Sequence, residues 1–174
     1  MTLRSIRRRC EAALVDVPVP HPFDINAFCQ LVSHRRRRAL HLLPKRTRLG
    51  PCGVWLALAE SDYVFYEPET SQLHQEHIIL HELGHLLCAH QPSEVIDDRV
   101  LSELLPNLDP AVVRRVLGRT TYTAVEEQEA EMVASIVRER VEREDQVAST
   151  HTNSRVAASL GSDAAAVDRL RATL

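Results

Sequence analysis

Residues 77–90 read "HIILHELGHLLCAH" and place His81 and His85 four positions apart, with Glu82 between them. Side chains at this spacing on a helix lie one turn apart on the same face, with roughly 5–6 Å between their Cβ atoms. A single metal ion can bridge that span. The stretch therefore predicts a helix that offers two imidazoles to a metal ion and a carboxylate beside them.

The helix around the two histidines is predicted to be buried, because apolar side chains lie on nearly every side of it. These side chains are Ile78, Ile79, Leu80, Leu83, Leu86, Leu87, Cys88 and Ala89. His81, Glu82 and His85 would then be polar groups inside a core, where each unpaired group costs roughly 1–3 kcal/mol. Metal binding by the imidazoles would remove that cost. Gly84 costs about 1 kcal/mol in a helix relative to Ala, which predicts a close backbone approach there.

The surrounding sequence predicts an α+β fold. Helical spacing indicates one helix near the N-terminus and a second that Asp24 caps. Strand-like runs at 39–43, 53–60 and 63–67 predict a small three-stranded antiparallel sheet, packed on a central helix that carries the His pair. A Ser-Asp turn at residues 61–62 would join the last two strands. Aromatic residues make up 4% of the chain, so an aliphatic core is expected.

A metal held by two histidines needs a third protein ligand. The metzincin pattern would require Gly at position 88 and His at position 91, where this chain has Cys88 and Gln91. That subclass is therefore excluded. A glutamate from a second helix is the other common solution.

The long helix predicted after Thr123 offers several glutamates. Its apolar stripe consists of Val125, Met132, Val133, Ile136 and Val137. At 100° per residue, Glu129 falls inside this stripe, whereas Glu127 and Glu131 point away. Glu126 also falls within the stripe, but it completes a capping box with Thr123. Glu129 is therefore the predicted third ligand.

The stretch "LHELGH" at 80–85, followed by "EAEMVA" at 129–134, resembles the ImmA/IrrE-type metallopeptidases, which carry H-E-L-G-H and then E-A-x-x-F-A-x-x-L-L. The chain differs from that pattern at Val133, where Phe is usual, and in "IVRER" at 136–140, which replaces Leu-Leu-Met-Pro. The span between the two motifs also contains extra helical sequence. The resemblance extends over roughly residues 24–137.

The resemblance implies that zinc is bound by His81, His85 and Glu129, with Glu82 as the general base. It also implies a cytoplasmic regulator that cleaves or inactivates a helix-turn-helix repressor. In such a site, zinc lowers the pKa of a bound water to about 7, and Glu82 takes the proton of that water.

The group that stabilises the oxyanion is left open by the sequence. The candidates are Tyr122, Tyr63, His77 and His90. Cys88 lies one turn beyond His85 and could approach the metal, although a small core residue is the simpler interpretation. His77 lies one turn before His81 and is interpreted as a residue near the metal ligands or facing solvent.

The predicted domain organisation is a zincin-like metallopeptidase domain over residues 1–150 and a tail over 151–174 that forms short helices or is disordered. The long helix should end near Gln146, and the sequence beyond Pro92 also reads as helical. The four cysteines form no C-x-x-C pair, and the N-terminus lacks the apolar run of a signal peptide. These features predict a soluble cytoplasmic protein with reduced thiols.

Charge is distributed unevenly along the chain. Residues 1–50 contain 11 Lys/Arg and 3 Asp/Glu, and the remainder contains 10 and 21. This polarity and the run Arg35, Arg36, Arg37 and Arg38 predict an electrostatic partner surface, for a protein regulator or, as an alternative, for nucleic acid. Two other function classes stay open: a zinc-stabilised module that binds a protein without cutting it, and a nucleic-acid-binding toxin or regulator.

Overall fold

The computed structural model describes four segments of the chain: residues 2–46, 52–57, 61–90 and 122–171. Side chains are described as far as residue 149. Within these segments the chain forms four helices and a three-stranded sheet, and the predicted α+β class is confirmed. The helical pattern predicted beyond Pro92 and the end of the second predicted strand, at 58–60, lie outside the described residues.

Two capped helices begin the fold. These are α1 at Leu3–Ala13 and α2 at Ile25–Arg36. The predicted cap of α2 is confirmed, because Asp24 Oδ1 accepts a hydrogen bond from Ala27 N at 2.7 Å. The helix ends at Arg37, whose φ of 54° lies in the left-handed region. This conformation stops the helix directly before the first strand.

The sheet contains β1 at Ala39–Pro44, β2 at Gly53–Ala57 and β3 at Ser61–Tyr66, in the order β1-β3-β2. β2 and β3 are antiparallel, but β1 runs parallel to β3, so the predicted antiparallel sheet is wrong for that pair. β3 takes the middle position, where it pairs with a strand on each side, and contributes the buried side chains Val64 and Phe65; β1 and β2 lie at the two edges.

Asp62 lies inside β3, so the prediction of a Ser-Asp turn is wrong. Its carboxylate is only 1% exposed and accepts hydrogen bonds from Arg36 Nε at 3.3 Å and Arg38 Nε at 3.2 Å. Trp55 Nε1 donates to the same carboxylate at 3.2 Å. A buried carboxylate requires such partners. Two of the four arginines in the basic run therefore bind a buried carboxylate.

The histidine motif lies on α3, at Gln72–Leu87, which packs against β2 and β3. Its backbone closely approaches α4, at Ala124–Arg171, because residue 84 lacks a side chain. A Cβ on Gly84 would lie 2.6 Å from Ala130 Cα. The predicted close approach at Gly84 is thus confirmed.

α4 begins at the predicted capping box. Thr123 N donates to Glu126 Oε2 at 2.8 Å, and Glu126 N donates to Thr123 Oγ1 at 3.3 Å. The helix continues well past its predicted end. The chain divides into two compact units, Met1–Arg138 and Glu139–Leu174. The predicted domain boundary at residue 150 stays a prediction. All residues of the candidate site belong to the first unit.

The core of the first unit is built mainly from aliphatic side chains, as the composition predicted. Fully buried examples come from α1, α2, β3, α3 and α4: Ile6, Val32, Val64, Leu83 and Val133. Within it, α3 contacts β2 and β3 and, at Gly84, the backbone of α4. The polar side chains of the motif are held in place by that packing.

Candidate metal centre

Two imidazoles meet on one face of α3. Ser71 caps the helix by accepting from His74 N at 3.3 Å, and the helical spacing then brings His81 Nε2 within 3.1 Å of His85 Nε2. Glu82 and His85 are buried and His81 is partly buried. The sequence predicted that these three polar groups lie on a buried helix, and their positions on α3 agree with that prediction.

A carboxylate of α4 completes this group. Glu127 Oε2 lies 3.2 Å from His81 Nε2 and 3.8 Å from His85 Nε2. The ligand atoms of the three side chains all lie within 4.8 Å of one another. Two imidazoles and a carboxylate in this arrangement could hold a metal ion.

The structure does not bring Glu129 to this group. Its Oε2 lies 2.8 Å from His90 Nε2, and both side chains are buried. Glu129 is buried, as its place on the apolar stripe predicted, but its Oε1 lies 3.1 Å from Arg9 Nη1 on α1. Glu127 was predicted to point away, yet it lies three residues before Ala130, the contact point with α3, and its side chain reaches the histidines.

The second nitrogen of each histidine is also engaged. His81 Nδ1 lies 3.5 Å from Glu131 Oε2, and His85 Nδ1 lies 3.0 Å from His90 Nδ1. Partners at Nδ1 leave the Nε2 atoms directed at Glu127. Burial, and then the nearby imidazoles of His81 and His90, lower the pKa of His85 to about 3. His85 is therefore neutral at pH 7, which is the form that binds metals.

Glu82 lies beside the group but is not part of it. Its Oε2 accepts a hydrogen bond from Trp55 N at 2.9 Å. Burial raises the pKa of Glu82 to about 8; the Trp55 hydrogen bond opposes this rise and the charge of Glu127 adds to it. Gly53 permits this arrangement, since a Cβ there would lie 2.7 Å from Glu82 Oε1. A carboxyl group with a pKa near neutrality is suited to proton transfer.

These groups open into a cavity of about 140 Å³. Its wall is formed by Gly53, Val54, Trp55, His81, Glu82, His85, Tyr122 and Glu127. The Tyr122 ring stacks on the His85 ring, with centroids 3.5 Å apart and an interplanar angle of 14°. Burial raises the pKa of Tyr122, so its phenol stays protonated. Tyr122 thus lies at the site as expected, beside a histidine.

The other residues singled out from the sequence lie around the group or apart from it. His77 Nε2 lies 3.3 Å from Glu131 Oε2. Tyr63 stacks on His41, with centroids 4.9 Å apart, and is absent from the described lining of the cavity.

Cys88, His90 and Glu129 form a second group whose ligand atoms are close enough to hold a metal ion. A hydrogen bond with Cys10 is the main influence that lowers the pKa of Cys88, to about 6. His90 connects this group to the first through its contact with His85. The sequence indicated His90 as a candidate for stabilising the oxyanion and did not predict this connection between the two groups.

No protein-family model matches the chain, and no curated protein is similar to it. The resemblance to ImmA/IrrE-type metallopeptidases therefore stays a prediction. Among the described residues, every helix is too short or too polar to cross a membrane.

Proposed function

We propose that the protein is a zinc-dependent peptidase with His81, His85 and Glu127 as metal ligands and Glu82 as general base. The observation that carries this proposal is the convergence of two Nε2 atoms and one carboxylate oxygen at a cavity that Glu82 also lines. Two imidazoles and one carboxylate are a donor set that suits zinc in hydrolytic sites, where a fourth position stays open. The residues present fit the metal that the sequence motif implies.

Glu82 would carry the proton in the reaction. A zinc ion at the three ligands would supply a Lewis acid that acidifies water and polarises a carbonyl group. Trp55 N holds Glu82 Oε2 in a fixed position beside His81. From there the carboxylate can take a proton from the attacking water and later donate it to the leaving amine.

The sheet would bind the substrate. β2 lies at the end of the strand order, and its residues Gly53, Val54 and Trp55 form part of the cavity wall. A peptide in extended conformation can add to such an edge strand through main-chain hydrogen bonds. The protonated phenol of Tyr122 is the candidate donor to negative charge that develops on the substrate.

The substrate is proposed to be a protein, on the resemblance a helix-turn-helix regulator. A module that only binds such a partner has no need of a buried carboxylate held beside the histidines, so Glu82 favours cleavage over binding alone. The basic run gives little support to the nucleic-acid alternative, since Arg36 and Arg38 contact the buried Asp62.

A cleavage assay with matched variants tests the proposal. Zinc-loaded wild type and Glu82→Gln are incubated with a denatured-proteome peptide library and with the product of a neighbouring regulator gene, and new termini are identified by mass spectrometry. We expect new termini with the wild type and none with Glu82→Gln, although both retain zinc. Equal products from both proteins, or none from the zinc-loaded wild type, would overturn the proposal.

A further inference from the structure

A second cavity, here called the side pocket, lies directly beside the cavity of the candidate metal centre. It has a volume of about 200 Å³ and is lined by Cys52, Gly53, His77, Ile78, His81 and Glu82. Gly53, His81 and Glu82 line the first cavity as well. The two cavities therefore share a proposed metal ligand and the proposed general base, and a group bound in the side pocket would lie next to the bond on which Glu82 acts.

The side pocket lies between the start of β2 and α3. Gly53 begins the strand, and His77 and Ile78 lie one helical turn before His81 on the helix. The strand and the helix are close here, since a Cβ on Gly53 would lie 2.6 Å from Ile78 Cγ2. A peptide that adds to the edge of β2 sends alternate side chains to the two faces of the sheet, and α3 packs against one of these faces. The side pocket is thus placed to receive one substrate side chain.

The polar side chains in the wall of the side pocket already have partners within the protein. His77 Nε2 lies 3.3 Å from Glu131 Oε2, and Glu82 Oε2 accepts a hydrogen bond from Trp55 N at 2.9 Å. A charged substrate side chain would lose its hydration on entry, and a buried charge needs a counter-ion to offset that loss. Among the described lining residues, both groups are engaged elsewhere, so the wall disfavours a charged occupant.

The rest of the wall suits an apolar side chain. Ile78 contributes hydrocarbon surface, and Cys52 contributes a thiol, which behaves as a small hydrophobic group. An apolar cavity of roughly 150 Å³ is large enough to bind benzene. The side pocket, at about 200 Å³, is therefore large enough for the side chain of leucine, methionine or phenylalanine.

We infer that the side pocket binds an apolar side chain of the substrate, from a residue next to the cleaved bond, and that Cys52 and Ile78 determine this specificity. The inference rests on the proposed peptidase function and adds to it a class of substrate sequence. It assigns the choice of cleavage site to the side pocket, whereas the metal centre and Glu82 carry the reaction.

The first test compares the cleavage sites of zinc-loaded wild type and Cys52→Phe in a denatured-proteome peptide library. For wild type, we expect Leu, Met and Phe to be enriched about tenfold over Asp and Lys at one of the two positions that flank the cleaved bond. Cys52→Phe places a ring in the side pocket, so the preference at that position should shift to Ala, Gly and Ser. The other substrate positions should stay unchanged, which a general loss of structure would not produce.

Val15→Phe is the matched control. It adds the same ring at a position that is 73% exposed and is absent from the described linings of both cavities. Its cleavage sites should match those of wild type. Cys52→Leu, a smaller addition to the same wall, replaces Cys52→Phe if that variant does not fold.

A second measurement is independent of zinc and of cleavage. Alkylation of the exposed Cys52 by iodoacetamide is followed by peptide mapping in chelator, with N-acetyl-leucinamide, N-acetyl-alaninamide or N-acetyl-lysinamide present. A leucine side chain in the side pocket would cover the thiol. We therefore expect the leucinamide alone to slow alkylation, by about twofold when half of the side pockets are occupied.

The outcomes separate this inference from the proposed function. A zinc-loaded wild type that cuts no peptide overturns the proposed function, and the alkylation rates then decide the inference. Where products form, a preference for charged residues beside the cleaved bond, no preference there, or an unchanged preference in the Cys52 variant overturns the inference. Where none form, it is overturned if the leucinamide leaves the alkylation rate unchanged or if the other two amides slow it equally.

Discussion

Glu82→Gln should stabilise the zinc-free protein, by an amount that depends on pH. The pKa of this carboxyl group is raised from 4.5 to about 8 by burial. The unfolded chain therefore releases the proton above pH 4.5, whereas the folded chain holds it to about pH 8. The folded state binds more protons within this window, so burial of Glu82 reduces stability progressively as pH rises.

The magnitude follows from linkage. The penalty grows at about 1.4 kcal/mol per pH unit above 4.5 and reaches about 3 kcal/mol at pH 7. Glutamine has no such penalty, and its amide oxygen can still accept from Trp55 N. For a chain of this size, about 3 kcal/mol corresponds to a rise in Tm of roughly 6–12 °C.

The assay is thermal unfolding in chelator at pH 4.5 and pH 7. The gain of Glu82→Gln over wild type should be large at pH 7 and close to zero at pH 4.5. Glu142→Gln changes an exposed carboxylate on α4 and should stay within about 0.5 kcal/mol at both values. A gain that is equal at the two pH values, or a loss at pH 7, would refute the reasoning.

Three further predictions concern the fold. Asp62→Ala should cost about 3–5 kcal/mol in urea unfolding, since it leaves Arg36 and Arg38 without their buried anion, whereas Asp16→Ala at an exposed position should cost little; similar losses would count against this account. Gly84→Ala should destabilise by about 1–3 kcal/mol despite its better helix propensity, because its Cβ would press on the Ala130 backbone; a more stable variant would contradict the observed approach. Iodoacetamide at pH 8 should label exposed Cys52 in the folded protein and Cys29 only after unfolding, because burial raises the pKa of Cys29 to about 12; equal rates in the folded state would disagree.

Local features of the fold were predictable because they depend on a few neighbouring residues. The caps at Asp24 and Thr123 each need one side chain and a backbone donor close in sequence. Gly84 was informative because glycine is unfavourable inside a helix unless another backbone comes close. The buried character of α3 followed from its composition alone.

Features that depend on distant parts of the chain were not predictable in the same way. The central position of β3 arises from its pairing with β1, which no local pattern encodes. Glu127 reaches α3 and Glu129 reaches α1, and a helical wheel of α4 contains no information on where either helix packs. The hydrogen bond from Trp55 N to Glu82 comes from the backbone and has no residue signature, although Gly53 at the start of a strand was a signal of close approach.

Zinc titration of the purified protein tests the central claim most directly. Chelator competition and elemental analysis are performed on wild type, on Glu127→Ala and on Glu142→Ala, a substitution at an exposed position of the same helix. We predict one zinc ion per wild-type chain, retained by Glu142→Ala and lost or much weakened in Glu127→Ala. A wild type without zinc, or a Glu127→Ala variant that binds zinc as tightly as Glu142→Ala does, would contradict the proposed metal centre.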